Sequence, residues 1–422
     1  MKYRLTLIIL LALAMFAKGQ DIVTVMQYNL LEYGNYNSAW ASCFETNNNT
    51  QTKDECIRTI LDYVQPDILT VNEFGATQAL QNDFVRHNLN INGVSYWQTD
   101  NIVNYAGSNI INHIFYNSNK FGLNKRVALQ TQPRDTDIYE LYCKTANLQA
   151  GDTIKLVCIV THLKAGMSYE SSRRACLQTA MDYVNQHYPT DNVLIMGDFN
   201  MYGASESGYQ LLTSTYSNSD ICFVDPLASL GGVGEWDDNI QFAKFHTQST
   251  MSWSENDCRS GGGMDSRFDF ILMADEIAFG YNKIRYVSNS YHAVGNDGNH
   301  FNQSINQNSN NAAPAAVIEA VFDCSDHLPV TMKLAVDAHL GVSDNEQPTM
   351  ALYPNPTRGD LTIRAEGMRH VSVFDLLGQK VYEAETEADE HCADLSPLPA
   401  GLYLVRVSTD SGVIVQRVTL AR

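Results

Sequence analysis

Positive charge is what this chain lacks most: 28 Lys and Arg stand against 47 Asp and Glu, leaving a formal charge of -19. A chain this acidic has no broad cationic face with which to hold a polyanion by charge alone, which argues against tight static binding of nucleic acid. Chemistry on phosphates stays open, because a bound divalent cation supplies positive charge locally. Long hydrophobic runs are also missing. The longest, Leu5 to Phe16, falls short of the ~20 residues that a membrane-spanning helix needs. Charged residues make up only 18% of the chain and hydrophobic ones 44%, which excludes wholesale disorder. No Cys-x-x-Cys or comparable Cys/His spacing occurs, which argues against a zinc site.

At 422 residues the chain exceeds one ordinary core, so at least two domains are expected. The basic start at Lys2 and Arg4, the short apolar run and the small residues up to Gly19 read as a signal peptide over 1–19. That places the mature chain outside the cytoplasmic membrane. Nine cysteines in an exported chain suggest disulfides, with at least one thiol left over. Cys43 and Cys56 bracket an Asn-rich loop, while Cys143 and Cys158 sit on strand-like runs joined by Gly151-Asp152. Both pairs are therefore expected bridges, although connectivity itself is not readable from sequence.

From Asp21 onward, strand-like runs occur at 22–28, 68–72, 110–116, 154–161, 193–197, 268–273 and 317–322. Helical spacing appears at 54–64, with Cys56, Ile57, Ile60, Leu61 and Val64 on one side, and again at 171–187. The pattern is α/β with mixed sheets. The Asn-rich stretch 296–311 reads either as a disordered linker or as a loop over an active site. Arg173 and Arg174 read as solvated helix residues, His300 as an idle loop histidine, and Gly261-Gly262-Gly263 as a flexible turn rather than a phosphate cradle.

After Leu334 the texture changes. Residues 339–350 read as a linker between a first domain over 20–338 and a second over 351–422. In the second, short strands at 361–364, 370–374, 379–383, 402–407 and 413–420 are separated by Gly, Pro and Asp turns, as in a small immunoglobulin-like sandwich. Its three patterns, Tyr353-Pro-Asn-Pro-Thr357, Val373-Phe-Asp-Leu-Leu-Gly-Gln379 and Leu398-Pro-Ala-Gly-Leu-Tyr-Leu-Val-Arg-Val407, resemble the carboxy-terminal sorting domain of the type nine secretion system. The resemblance implies engagement with that machinery and export across the outer membrane, to the medium or the cell surface.

Six motifs of the first domain place polar groups at strand ends: Met26-Gln-Tyr-Asn29-Leu, Val71-Asn-Glu73-Phe, Val160-Thr-His162-Leu-Lys, Met196-Gly-Asp198-Phe-Asn200, Ser266-Arg-Phe-Asp269-Phe-Ile and Ser325-Asp326-His327-Leu-Pro-Val. Each alone is weak, since an Asp after a strand usually caps a turn. Together they supply what phosphodiester hydrolysis needs: a cation, a base for water, donors for developing charge and an acid for the leaving oxygen. Glu73 offers a hard carboxylate and Asn29 a neutral oxygen to magnesium. Asp198 suits the base, Asn200 a donor to the phosphoryl oxygens, and His327 a proton handler held in one tautomer by Asp269.

This set, in this order over residues 21–335, resembles the endonuclease/exonuclease/phosphatase superfamily. The resemblance implies a four-layer α/β/β/α sandwich of two mixed sheets, with Asn29 and Glu73 at the metal and Asp326 a further ligand. It also implies Asp198 and Asn200 at the scissile phosphate, Asp269 and His327 as the proton-handling pair, and His162 as leaving-group acid or phosphate donor. Magnesium is the expected cofactor, with manganese or calcium as substitutes. The expected function is a secreted metal-dependent phosphodiesterase, a nuclease acting on DNA or RNA, with no stable protein partner. A sphingomyelinase acting on phospholipid is the alternative on the same chemistry, with 228–236 as the one weak candidate for a membrane-facing loop. A non-catalytic adhesin would not need Glu73, Asp198 and His327 together.

Overall fold

The computed structural model describes residues 21–35, 43, 49–144, 153–214, 221–228, 233–254, 258–337, 350–376, 378–409 and 412–421. The expected signal peptide and all but the last residue of the expected linker lie outside them. The chain divides into two compact units, the second of which carries Gly341–Arg422.

In the first unit, the opening elements are β1 (Asp21–Tyr33), α1 (Thr50–Val64), β2 (Ile68–Gly75), α2 (Gln78–Phe84), β3 (Trp97–Thr99) and β4 (Ile110–Asn117). There follow β5 (Phe121–Leu129), β6 (Thr136–Cys143), β7 (Lys155–His162), α3 (Glu170–His187), β8 (Val193–Asp198), α4 (Ser207–Thr213) and β9 (Phe223–Val224). The unit closes with β10 (Asp269–Ala274), α5 (Asp275–Phe279), β11 (Ile284–Tyr286), β12 (His292–Ala293), α6 (Ala315–Cys324) and β13 (Val330–Val336). One sheet runs β11-β13-β1-β2-β4-β3, with β12 beside β13, and the other runs β5-β6-β7-β8-β10-β9. β1/β2 and β7/β8 pair in parallel while neighbouring pairs such as β1/β13 and β8/β10 are antiparallel, so both sheets are mixed.

Period-two alternation along β1 explains the layers. Val23 and Val25 pack between the sheets with Val160, Met196 and Ile271, which share the face of His162, Asp198 and Asp269. Met26 and Tyr28 face the other way, against Ile57 and Ile60 of α1 and Val321 of α6. Leu177, Met181 and Val184 of α3 cover the second sheet. The result is the expected α/β/β/α sandwich. Each fully buried aliphatic side chain in it contributes roughly 1.5–3 kcal/mol.

Four expectations fail, each for a physical reason. Residues 317–322 form part of α6 rather than a strand: Val317, Ile318, Val321 and Cys324 recur at helical spacing on one buried face, and Pro314 starts the helix. Cys43 bonds Cys258 rather than Cys56; Cys56 lies inside α1 facing the core. Cys143 and Cys158 stay reduced, because the β6/β7 register sets Cys158 opposite Tyr139, four residues along the strand from Cys143. Arg173 is fully buried rather than solvated, donating to both Glu206 oxygens and to the carbonyls of Lys164 and Gly166.

The 296–311 stretch is folded back on itself. His300 bridges Asp297 Oδ1 at 2.8 Å and the Gln307 carbonyl at 2.7 Å, a structural use rather than a catalytic one. The glycine turn is a close approach: a Cβ on Gly263 would lie 2.3 Å from the Asn302 carbonyl carbon. Of 228–236, residues 229–232 lie outside the described residues, and Trp236 is fully buried with its indole N–H on the Met201 carbonyl.

The strands of the second unit pair antiparallel. β14 (Met350–Tyr353), β15 (Asp360–Ala365), β16 (Met368–Phe374), β17 (Lys380–Glu385), β18 (Glu390–Asp394), β19 (Gly401–Thr409) and β20 (Gly412–Leu420) follow in order. They form sheets β14-β15-β18 and β17-β16-β19-β20 around Leu361, Ile363, Val371, Val373, Val405 and Val418.

Candidate active site

Sheet register assembles the first half of the site. β7 runs parallel to β8 with His162 beside Asp198, and β10 runs antiparallel to β8 with Asp269 beside Asp198. Three neighbouring strands therefore bring His162, Asp198 and Asp269 abreast at one end of the second sheet's strands. The close approach at that end requires Gly197: its φ is 149°, and a Cβ there would lie 1.8 Å from the Thr161 carbonyl oxygen.

The facing sheet adds Asn29 and Glu73. Strict alternation would turn Glu73 toward the helices with Leu69 and Val71. A bulge between Val71 and Phe74, with Glu73 at φ 55°, brings its carboxylate to the site instead. Asn29 was expected to offer its oxygen to a metal. That oxygen instead accepts from the Leu31 N–H at 2.9 Å, and the amide nitrogen donates to Glu73 Oε1 and Asp198 Oδ2, each at 3.0 Å. Asn29 thus clamps the two carboxylates together. Behind them, Asn72 accepts from the Asp198 N–H at 2.8 Å and donates to Asn112 Oδ1 and the Thr161 carbonyl, tying the two sheets.

The connection from α6 to β13 supplies Asp326 and His327. His327 Nδ1 sits 2.6 Å from Asp269 Oδ2, which also accepts from the Thr247 hydroxyl at 2.8 Å. His327 Nε2 lies 3.8 Å from Asp198 and 4.0 Å from Asp326. His162 Nε2 lies 3.3 Å from Asp198 and 3.8 Å from Glu73. Asn200 donates its backbone N–H to Asp198 Oδ1 at 3.0 Å and its side-chain amide to the Leu163 carbonyl at 3.3 Å. All eight residues expected from sequence fall in or against one cleft of about 620 Å³.

The two histidines are electrostatically opposite. Burial, aided by Arg134, His327 and Lys164, holds His162 well below the usual histidine range, so it is neutral at pH 7. Burial also works against charge on His327, but Asp269, Asp198 and Asp326 together outweigh it and keep the ring protonated. Burial pushes Asp198 up to about 7, with Asp269 and Glu73 adding to the rise and His327 opposing it. Burial and the neighbouring Glu73 push Glu32 up to about 7 as well.

Sequence reading missed Gln248, Glu32, Arg134 and Lys164, which also line the cleft. The Gln248 amide reaches His327 Nε2 at 2.7 Å, and Arg134 is fastened to the carbonyls of His162 and Leu163 at 3.1 and 2.9 Å. Of the four, Lys164 alone falls within a quoted motif, Val160-Thr-His162-Leu-Lys, where the sequence assigned it no role. Gln248 and Arg134 come from loops with no periodic pattern to mark them.

The donor set fits a hard divalent cation. One ligand atom each from Glu73, His162 and Asp198 lies within 4.8 Å of the others, as does one each from Asp198, Asp269 and His327. Asp326 Oδ1 is buried without a hydrogen-bond partner among the described residues. Carboxylates crowded in this way need a counter-charge.

Residues 26–327 match the Endonuclease/Exonuclease/phosphatase family. The chain belongs to that family. Enzymes of the Endonuclease/Exonuclease/phosphatase family hydrolyse phosphoester bonds and generally depend on divalent metal. Residues 351–421 match the secretion system C-terminal sorting domain, which marks the protein for export to the cell surface or beyond. Solved structures are similar to the chain at low identity. Zebrafish (D. rerio) TDP2 complexed with single-strand DNA product is 12% identical, covering 75% of this chain and 100% of that one, with a TM-score of 0.46. The human Nocturnin catalytic domain with bound sulfate is 16% identical, covering 75% and 97%, at 0.44. A family protein from Bacteroides thetaiotaomicron is 13% identical, covering 78% and 99%, at 0.43. No curated protein matches the chain.

Proposed function

We propose that the protein is an exported, divalent-metal-dependent phosphodiesterase that cleaves nucleic acid. The observation that carries this reading is the alignment of His162, Asp198 and Asp269 on adjacent strands, with His327 locked onto Asp269 and Glu73 facing them across the cleft. Nucleic acid is favoured over phospholipid because Trp236, the large ring of the one suspected membrane-facing loop, is buried. The exposed rings of Trp253, which precedes the cleft residue Ser254, and of Tyr169, which carries the Lys164 ammonium at 5.0 Å, are available for stacking on bases.

Glu73 and Asp326 would hold the cation, with Asn29 orienting the Glu73 carboxylate. Bound there, a divalent ion would supply charge to neutralise and polarise the phosphate. Asp198 orients the attacking water and takes its proton, a role that its raised affinity for protons suits. Neutral His162 and the Asn200 amide donate hydrogen bonds to the phosphoryl oxygens as charge develops. Protonated His327, kept in place by Asp269, delivers its proton to the leaving oxygen. Arg134 and Lys164 supply the local positive charge that the chain as a whole lacks.

Conversion of supercoiled plasmid to nicked and linear forms by the full chain tests the proposal, with magnesium, with chelator and with His327→Ala. Metal-dependent nicking that disappears in the folded variant supports the reading. Folded wild-type protein that leaves both plasmid and RNA intact, but releases phosphocholine from sphingomyelin, would move the substrate to lipid.

A further inference from the structure

The backbone that presents the site is held from behind by a buried lysine. Leu31 and Glu32 adopt φ of 45° and 57°, and the β1/β2 ladder breaks its register between Asn29 and Tyr33. The residues that loop out at this bulge place their N–H groups on the site: Leu31 donates to Asn29 Oδ1 at 2.9 Å and Glu32 to Glu73 Oε2 at 3.1 Å. Carbonyls taken out of a ladder need other donors. Lys53 of α1 supplies them, its Nζ lying 2.7 Å from the Leu30 carbonyl and 2.6 Å from that of Leu31. Lys53 is 1% exposed, and burying an ammonium costs several kcal/mol unless strong hydrogen bonds offset it. A packing role alone would be filled more cheaply by Met or Leu.

The next residue of α1 pins the far side of the same bulge. Asp54 Oδ1 accepts from the Tyr33 hydroxyl at 2.6 Å and from the Asn88 amide at 2.7 Å, and the Tyr33 ring stacks on Phe74 with centroids 5.4 Å apart. Helix α1 therefore grips the bulge at both ends through two adjacent polar residues that a purely apolar inner face would not contain.

We infer that Lys53 is a positioning residue, whose ammonium fixes the carbonyls of Leu30 and Leu31 so that the N–H groups of Leu31 and Glu32 hold Asn29 and Glu73 in the geometry that receives the cation. The inference rests on the proposed reading of Glu73 as a metal ligand. Lys53 touches neither substrate nor metal, and its effect passes through one turn of backbone. Loss of the ammonium leaves two buried carbonyls without donors and frees the bulge to relax, so Glu73 loses its preset orientation.

The test is magnesium binding by calorimetry on the full chain, for wild type, Lys53→Met, and Ile60→Ala as a core variant of the same helix. Lys53→Met is expected to weaken magnesium binding at least tenfold and to lower kcat for plasmid nicking at least tenfold, with KM within threefold. Ile60→Ala is expected to lower Tm but leave magnesium affinity within twofold. Wild-type affinity and kcat in folded Lys53→Met would overturn the inference. Amide hydrogen exchange on the wild type gives a second measurement that needs no variant. Leu31 and Glu32 should be protected like the core of β1, and exchange at loop rates would overturn the inference. Failure of the underlying reading is separate: it would appear as wild-type protein that binds no magnesium, or as Glu73→Gln that binds it normally.

Discussion

Stability of the first unit should fall steeply below neutral pH because of His113. This residue of β4 is fully buried. Its ring lies 6.2 Å from Phe74, 5.2 Å from Phe115 and 6.4 Å from Tyr139, centroid to centroid. Nε2 contacts the Thr99 hydroxyl at 2.6 Å and the Gln81 amide at 2.7 Å, while Nδ1 has no hydrogen-bond partner among the described residues. A second proton on the ring would thus add an unsatisfied charged donor inside an aromatic cluster. Burial, reinforced by Arg126, lowers the group to about 3. In the unfolded chain an ordinary histidine titrates near ~6.5. Between those values the unfolded state binds the proton and the folded state does not, so stability is full above ~6.5 and falls as pH drops. At pH 5 the gap is about 1.5 pH units, or about 2 kcal/mol at 1.36 kcal/mol per unit. The assay is urea unfolding of wild type and His113→Gln at pH 7.5 and pH 5.0, followed by tryptophan fluorescence, since all 4 tryptophans precede residue 254 and so report on the first unit. Wild type should lose about 2 kcal/mol more than the variant between the two pH values. Equal losses would refute the reasoning, because other titrating groups are common to both proteins.

Asp269→Asn, measured by plasmid nicking, should lower kcat by roughly 10²–10⁴ with KM little changed, because the amide no longer holds the protonated His327 ring in place. Arg267→Met should cost about 3–5 kcal/mol in urea unfolding, since it leaves Asp225, which the guanidinium grips at 2.8 and 3.0 Å, buried without its cation. Opening the Cys43–Cys258 bridge by Cys43→Ser with Cys258→Ser should lower stability by about 5 kcal/mol on loop-entropy grounds, the bridge closing a separation of 215 residues. A change under about 1 kcal/mol would place the bridge's effect outside the unfolded chain.

Much of this protein was legible in one dimension because the signals were local. Short apolar runs mark β1, β2, β4, β7, β8 and β10, and polar residues at the ends of β2, β7, β8 and β10 are residues of the candidate site. Spacing of three and four marks α1 and α3. The same periodicity, counted rather than judged by β-branched content, marks α6, with Val317, Ile318, Val321 and Cys324 buried on one face. Turn chemistry and the change of texture near residue 340 separate the second unit.

What only the tertiary structure decided depends on contacts far apart in the chain. His162, Asp198 and Asp269 stand abreast because of strand register, and a slip of one residue would turn their side chains to the opposite face. Glu73 reaches the cleft through a bulge and a left-handed φ that alternation alone would deny it. Asn29 clamps carboxylates because the Leu31 N–H claims its oxygen. Gln248 and Arg134 enter from loops, and Cys43 finds Cys258 across 215 residues. Local spacing is set by the repeat of helix or strand and is written in neighbouring residues. Register, bulges and loop placement follow from packing two sheets and their helices together at native density, which no short window of sequence contains.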